Sequence, residues 1–268
     1  MKRARQLSIA LVAAVFLCCL AADVIAPAGY AKQFREAPNA PPSRQFPLGT
    51  DELGRDRFSR LLYGTRISLL LAPAAAFVST LLAGLIGGLA GYLGGWWERL
   101  AMASTDLFLS LPWFFLLITV RAMMPLNVAP LVSVLITFSL LGLLGWAASA
   151  RVLCAGSRSL RQAEFVLQAR ASGTGRWRLL MVHVLPNLKP VLYAQFWISV
   201  PVFILAEANL SILGLGVSEP LPSWGSMLRE LESYSQIGSQ PWRLAPLLLL
   251  VAVVSAFQFI QRDERLPA

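Results

Sequence analysis

The sequence predicts an all-α membrane protein with six transmembrane helices and with both termini in the cytoplasm. Of its 268 residues, 56% are hydrophobic and 14% are charged, whereas a soluble domain carries about a quarter charged residues. Six apolar runs each exceed the ~17 residues that a helix needs to cross a bilayer, and none alternates like a β-barrel strand. Spans therefore account for most of the chain.

The first apolar run covers residues 7–26, directly after a basic N-terminal stretch. A cleaved secretory signal is the alternative, but no small-x-small cleavage site follows a short apolar core at the usual distance. A lipoprotein anchor at Cys18 or Cys19 is not expected, because no small residue precedes either thiol. We therefore predict a first transmembrane helix.

A polar connector, residues 28–66, separates this run from the next and is rich in proline at its start. Near its end Phe58 and Leu61 fall on one helical face, which predicts a helix lying at the membrane interface before the second span. The expected division of the chain is thus residues 1–66, with the first span and this connector, and residues 67–268, a five-helix core.

The five spans of that core are predicted at residues 67–92, 100–120, 128–150, 191–213 and 242–260. In the first of them, Gly84 with Gly88 and Gly87 with Gly91 form two small-xxx-small pairs, which allow close contact between helices. Pro112 lies inside the second, which is predicted as one span.

Residues 164–187 form the longest polar, basic interruption between two apolar runs. The pattern predicts a short helix at 164–172, a break at Gly173-Thr174-Gly175, and a second short helix at 176–184 that Pro186 ends. A short helix between two spans is suited to bind in a groove on another protein. The alternative is a solvated basic loop near anionic lipid.

The orientation follows from the distribution of positive charge. With the N-terminus inside, the inside segments hold 13 of the 23 cations and 4 of the 14 acids. The loop at 151–189 holds seven of those cations and decides the count, because short loops obey the positive-inside rule best. The same rule explains the net charge of +9 without nucleic acid as a partner.

The residue types offer no catalytic or metal site. His183 is the only histidine, so a His-based metal cluster is excluded, and a structural role of His183 in its loop is expected. The three cysteines show no metal-binding spacing. Because no G-x-x-x-x-G-K-[ST] motif occurs, we expect no ATP hydrolysis by that route, no cofactor and no enzyme activity.

Glu207 lies within the predicted span at 191–213. An acid inside a membrane is costly and by default faces a cavity or a partner. Glu207 is therefore a candidate for the lining of a translocation path, and a helix-packing hydrogen bond is the alternative. Asp106 lies near the start of its predicted span, after a short turn, where an interfacial position is expected.

The 164–187 stretch resembles the cytoplasmic "EAA" loop of importer-type ABC permeases, whose pattern is E-A-A-x-x-x-G followed after about nine residues by h-L-P. Leu167 stands at the position of the family's Glu. The resemblance implies docking of an ATPase on a coupling loop formed by Gln168, Ala169, Arg170, Ala171, Gly173, His183, Leu185, Pro186 and Asn187.

Two further stretches resemble the C-type permease of the dipeptide, oligopeptide and nickel ABC importers. One is FPLGTDELGRDRFSRLLYGTRISL, in which only the family's leading His is replaced, by Phe46. The other is EANLSILGLG followed by PSWG, with Ile212 where the family has Phe.

This resemblance implies a multi-pass permease of the bacterial inner membrane that forms a path with a second homologous permease. It also implies two cytoplasmic ATP-binding subunits and an extracytoplasmic solute-binding protein. Peptide is the expected solute, with nickel or another small solute left open. The alternative class is an ion-coupled secondary transporter that uses Glu207 and Asp106 as proton or cation sites.

Overall fold

The computed structural model describes residues 2–125, 128–232 and 240–262. Within these residues the regular structure is helical, and two isolated β-bridges occur in the connector. Five helices are long and apolar enough to cross a membrane, and the number is six if one bent pair forms a single span. The predicted all-α membrane fold is thereby confirmed.

A long connector that ends at residue 56 separates the first two helices from the others. The helices are α1 (Lys2–Leu20), α2 (Ala22–Ile25), α3 (Arg57–Leu93), α4 (Gly95–Ser110), α5 (Trp113–Met123), α6 (Pro130–Leu144), α7 (Ala147–Arg161), α8 (Glu164–Ala171), α9 (Arg176–Ile212), α10 (Trp224–Arg229) and α11 (Ala245–Arg262). Short 3₁₀ turns at Glu230–Glu232 and Pro241–Leu244 flank the segment between α10 and α11.

Residues 57–66, predicted as a helix at the membrane interface before the second span, are helical and form the first turns of α3; their place at the interface stays a prediction. The helix begins where the Asp56 carboxylate accepts the Ser59 backbone N–H at 2.8 Å, as an N-cap does. No break follows until Gly94, whose φ of +71° ends α3. Gly84–Gly88 within α3 forms a π-helical segment.

The span predicted at 100–120 is broken rather than straight. α4 and α5 meet at an angle of 78°. Leu111 is extended, with φ −92° and ψ 134°, because the ring of Pro112 excludes the helical conformation of the residue before it.

The chain divides into two compact units, the first made of Met1–Ala72, Arg121–Phe138 and Pro201–Ala268 and the second of Pro73–Val120 and Ser139–Val200. In the first unit α1 packs against α11. In the second, the π-helical segment of α3 packs against α7. The expected division at residue 66 stays a prediction.

The glycines of α3 make that second contact possible. A Cβ on Gly87 would overlap the backbone of Ala150, and one on Gly91 would overlap the carbonyl of Cys154. A Cβ on Gly84 would instead meet only the end of the Leu192 side chain, at 3.1 Å. The predicted close helix contact is confirmed at Gly87 and Gly91, where backbone faces backbone.

In the first unit, ion pairs of two buried arginines hold the connector in place. Arg55 Nε donates to Asp51 Oδ2 at 2.6 Å, and Arg60 Nη2 donates to Glu219 Oε1 at 3.0 Å. Burial alone would lower the pKa of Arg55, but its hydrogen bonds to Asp51 and Glu219 outweigh this effect and raise it. The guanidinium of Arg55 therefore stays charged. The ion pairs of residues 50–60 have a structural role, since they fix the fold of the connector.

Candidate functional site

The predicted coupling loop contains a helix that ends in a regular left-handed cap. Gly173 has φ +80°. Its N–H bonds to the Arg170 carbonyl at 3.1 Å, and the Thr174 N–H bonds to the Ala169 carbonyl at 3.1 Å. This pair of hydrogen bonds is the Schellman motif, which favours glycine at the left-handed position.

One face of α8 packs against neighbouring helices of its own unit. Val166 is buried in a cluster with Tyr92, Leu179 and Val184, and Ala169 packs against the same cluster. α8 is thus covered by the chain itself at these two positions. α8 is consequently anchored to the end of α3 and the start of α9.

Apart from Val166 and Ala169, the residues of α8 are exposed and form one exposed face in the described part of the chain. Gln168, Arg170 and Ala171 are exposed, as is Gly173 at the tip. Leu167, which occupies the family's Glu position, is 49% exposed. This face presents a short apolar and basic surface with no carboxylate at position 167.

The second predicted helix of the loop does not end at Pro186, so that prediction is wrong. Residues 176–184 open α9, which continues to Ile212. The reason is the π-helical segment Leu179–Val184 directly before the proline, since such local adjustments let a membrane helix accommodate Pro.

The other predicted loop residues lie on the first turns of α9. Asn187 Nδ2 donates to the His183 carbonyl at 2.7 Å. The His183 ring is half-buried, with its centroid 6.5 Å from that of Phe165. Leu185 is half-buried, whereas Pro186 and Asn187 are exposed. These contacts fit a structural role for His183.

Glu207 lies at a closed polar centre in the first unit. Its side chain has 0% exposure, and its Oε1 accepts a hydrogen bond from Ser211 Oγ at 2.6 Å. Ser223 and the Gly225 backbone lie against the same carboxyl group. This arrangement favours the helix-packing alternative, and path lining by Glu207 stays a prediction.

The segment between α9 and α10 folds back onto Glu207. A Cβ on Gly216 or on Gly225 would collide with Ser211, so only glycine allows this approach. Ser223 caps α10 by accepting the Ser226 N–H at 3.1 Å. Beside it, the buried Trp224 donates from Nε1 to Thr65 Oγ1 at 2.9 Å. The LGLG…PSWG stretch is thereby fastened to α9 and α3.

Sequence reasoning missed a second buried polar group, centred on Arg121. Arg121 directly follows the predicted span at 100–120, but it lies in α5 with 1% exposure. Its Nη2 donates to Ser133 Oγ at 3.0 Å, and Ser133 donates to the Gly216 carbonyl at 3.1 Å. The one signal in the sequence that could have indicated burial is that Arg121 stands alone among apolar residues.

Replacement of Glu207 by Gln is expected to lower both uptake and thermal stability while the complex still assembles. The amide keeps one acceptor for Ser211 but puts an NH₂ group where the carboxylate faces Ser223 and Gly225. A lost buried partner costs ~1–3 kcal/mol, which corresponds to ~2–4 °C per kcal/mol in a chain of this size. A thermal melt of the purified complex measures it. An unchanged midpoint with reduced uptake would place Glu207 in the path.

Comparison with known proteins adds a family match. The family model described as "Binding-protein-dependent transport system inner membrane component" matches residues 83–262. This match covers α9 and the coupling loop in full, and it includes Glu207.

Similar proteins match over most of the chain. A Brucella suis protein provisionally named a peptide permease is 38% identical over 225 residues, which are 84% of this chain and 72% of the relative. The glutathione transport system permease protein of Pectobacterium atrosepticum is 35% identical over 83% of this chain and 71% of its own length. The oligopeptide transport system permease protein of Mycobacterium bovis is 32% identical over 94% of this chain and 85% of its own length.

Proposed function

Because this chain belongs to the family of inner membrane components of binding-protein-dependent transport systems, we propose that it is a permease subunit of an ATP-driven importer of di- or oligopeptides. The relatives named for peptides and for glutathione support this solute class. Nickel or another small solute is the second candidate. The partners are a second homologous permease, two cytoplasmic ATP-binding subunits and an extracytoplasmic solute-binding protein.

The observation that carries the proposal is the construction of the 164–187 loop. Val166 fastens α8 to Tyr92 on α3 and to Leu179 on α9, and the other residues of α8 except Ala169 stay exposed. A push or pull by an ATPase on these exposed residues would therefore move the cytoplasmic ends of two spanning helices together. Alternating access needs such a mechanical link, because this chain has no phosphate-binding loop of its own.

An ion-coupled secondary transporter fits the same residues less well. Asp106 forms an ion pair with Arg151, which neutralises the carboxylate that a coupling cation would need. Glu207 is enclosed by its own unit. Purification from native membranes separates the classes: a permease brings an ATPase with it at a fixed ratio, and a secondary transporter comes alone.

The orientation follows from the proposal, since an ATPase requires the coupling loop to face the cytoplasm. A Ser43→Cys variant in a Cys-free background should then react with an impermeant maleimide added outside the inner membrane, because Ser43 is exposed in the external connector. A cysteine at Gly175, which is exposed in the coupling loop, is the matched control. It should react only after permeabilisation, and the reverse pattern would invert the topology.

A further inference from the structure

A groove of about 440 Å³ lies between α3 and α9 in the second unit. Phe77 and Thr80 line it from α3, and Lys189, Tyr193 and Phe196 line it from α9. In both sets the residues recur at helical spacing, so each set occupies one face of its helix. Clefts that bind small molecules have volumes of ~300–1,000 Å³, and the groove is large enough to be one of them.

The α3 wall of the groove lies within the hydrocarbon of the membrane. Arg66 is the last charged residue of α3. A span of ~20 residues placed anywhere within residues 67–93, the rest of that helix, includes residues 77–81. Two aromatic rings of the groove are exposed there, since Phe77 has 62% and Tyr193 has 56% exposure. The groove therefore opens to the surface of its unit at this depth.

Two polar groups of this largely apolar groove lack partners in the described part of the chain. Thr80 is 7% exposed, and its hydroxyl has no hydrogen-bond partner. Lys189 is exposed, and no described carboxylate pairs with it. A cation that faces hydrocarbon is costly, so such a side chain by default faces a cavity or a partner. A polar ligand in the groove would satisfy both groups, whereas a lipid acyl chain would satisfy neither.

The walls of the groove are the two helices that the coupling loop joins. Because Val166 fastens α8 to Tyr92 on α3 and to Leu179 on α9, a movement of α8 would be transmitted to both walls. Lys189 itself lies on almost the opposite side of α9 from Asn187, since two residues turn an α-helix by ~200°. The groove is thus linked to the coupling loop without sharing the residues proposed to contact the ATPase.

We propose that this groove is the part of the translocation path that holds the peptide during its passage, an inference that rests on the proposed function. Lys189 pairs with the C-terminal carboxylate of the peptide, and the Thr80 hydroxyl bonds to its backbone. The rings of Tyr193 and Phe196, whose centroids lie 5.8 Å and 5.2 Å from that of Trp197, contact the apolar side chains of the peptide. A helix of the partner permease would cover these rings, but its own backbone groups are already bonded.

The reactivity of a thiol in the assembled complex tests whether the groove is open to water. Tyr193→Cys in a Cys-free background should react with a charged methanethiosulfonate reagent, because the reactive thiolate forms only where water reaches it. Transport of peptide, started with ATP and loaded binding protein, should slow this reaction. Val78→Cys is the matched control, because Val78 is 39% exposed on α3 but does not line the groove. A thiol at position 193 that reacts no faster than this control would assign the groove to lipid or to the partner permease and would overturn the proposal.

Uptake of a labelled dipeptide into proteoliposomes tests the role of Lys189. Lys189→Gln should lower the rate of uptake by roughly tenfold, as expected when a hydrogen bond between charged groups is lost, while recovery of the ATPase stays unchanged. Lys189→Arg keeps the charge and should restore most of the uptake. Arg99→Gln is the matched control, because Arg99 is an exposed cation of the same unit that does not line the groove, and it should change neither quantity.

Normal uptake by Lys189→Gln would overturn the proposal. Loss of the ATPase together with uptake in that variant would assign Lys189 to the coupling loop and would overturn it equally. Uptake by the unmodified complex that requires ATP and binding protein tests the proposed function separately, so a failure of the groove in that active complex leaves the function standing.

Discussion

Gly87→Ala is expected to cause the largest loss of stability among single-methyl changes in the second unit. The added Cβ would overlap the backbone of Ala150 on α7, and a backbone cannot swing aside as a side chain can. Overpacking typically costs ~1–3 kcal/mol, and this contact belongs at the upper end. Helix propensity alone favours Ala over Gly by ~1 kcal/mol. Any measured loss of stability is therefore caused by the contact with the Ala150 backbone.

The matched control is Gly84→Ala, one turn earlier on the same helix. Its Cβ meets only Leu192 Cδ2, at 3.1 Å, and that flexible end can move. A thermal melt of the detergent-purified complex should show a lower midpoint for Gly87→Ala and little change for Gly84→Ala. Equal midpoints for the two variants would contradict the close packing of α3 on α7.

Gly173→Asp is expected to lose the ATPase and, with it, uptake. A left-handed φ of +80° costs ~1–2 kcal/mol for a residue with a side chain. The carboxylate also adds a negative charge to a basic, exposed turn. Together these effects should reduce recovery of the ATPase by roughly tenfold. Pull-down of the ATPase by the membrane complex measures this, normalised to the amount of permease.

Gly175→Asp provides the control, because Gly175 has φ −64° and open space around it. It adds the same charge two residues away without the backbone cost, so its loss of ATPase should be smaller. The affinity of the binding protein for its solute should not change in either variant. Wild-type recovery of the ATPase and normal uptake by Gly173→Asp would leave the loop as a lipid-facing connector.

The sequence predicted those features that depend on local chemistry. Long apolar runs indicated the spans, and the glycine at 173 indicated the break that ends the short helix before it. The sequence did not predict which of the prolines interrupts its helix. Pro112 breaks its span, whereas Pro186 is accommodated behind a π-helical segment. The two prolines differ in the conformation of the backbone next to them, and the spacing of apolar residues in the sequence does not indicate that conformation.

The surroundings of the candidate residues were also beyond the sequence. The sequence predicted the short helix at 164–172, but it did not predict that Val166 and Ala169 pack against their own unit. Glu207 was recognised as an intramembrane acid. Ser211 and Ser223 enclose its carboxyl group because the chain turns back after the end of α9. The packing of residues that are distant in sequence determines this turn.

Uptake into proteoliposomes tests the central claim most directly. The complex purified with this chain is reconstituted, and accumulation of a labelled dipeptide is followed with ATP and loaded binding protein supplied separately or together. A permease subunit of an ATP-driven importer predicts accumulation only when the ATPase, ATP and the binding protein are all present. Accumulation by this chain alone, driven by an imposed proton gradient without ATPase or ATP, would contradict it.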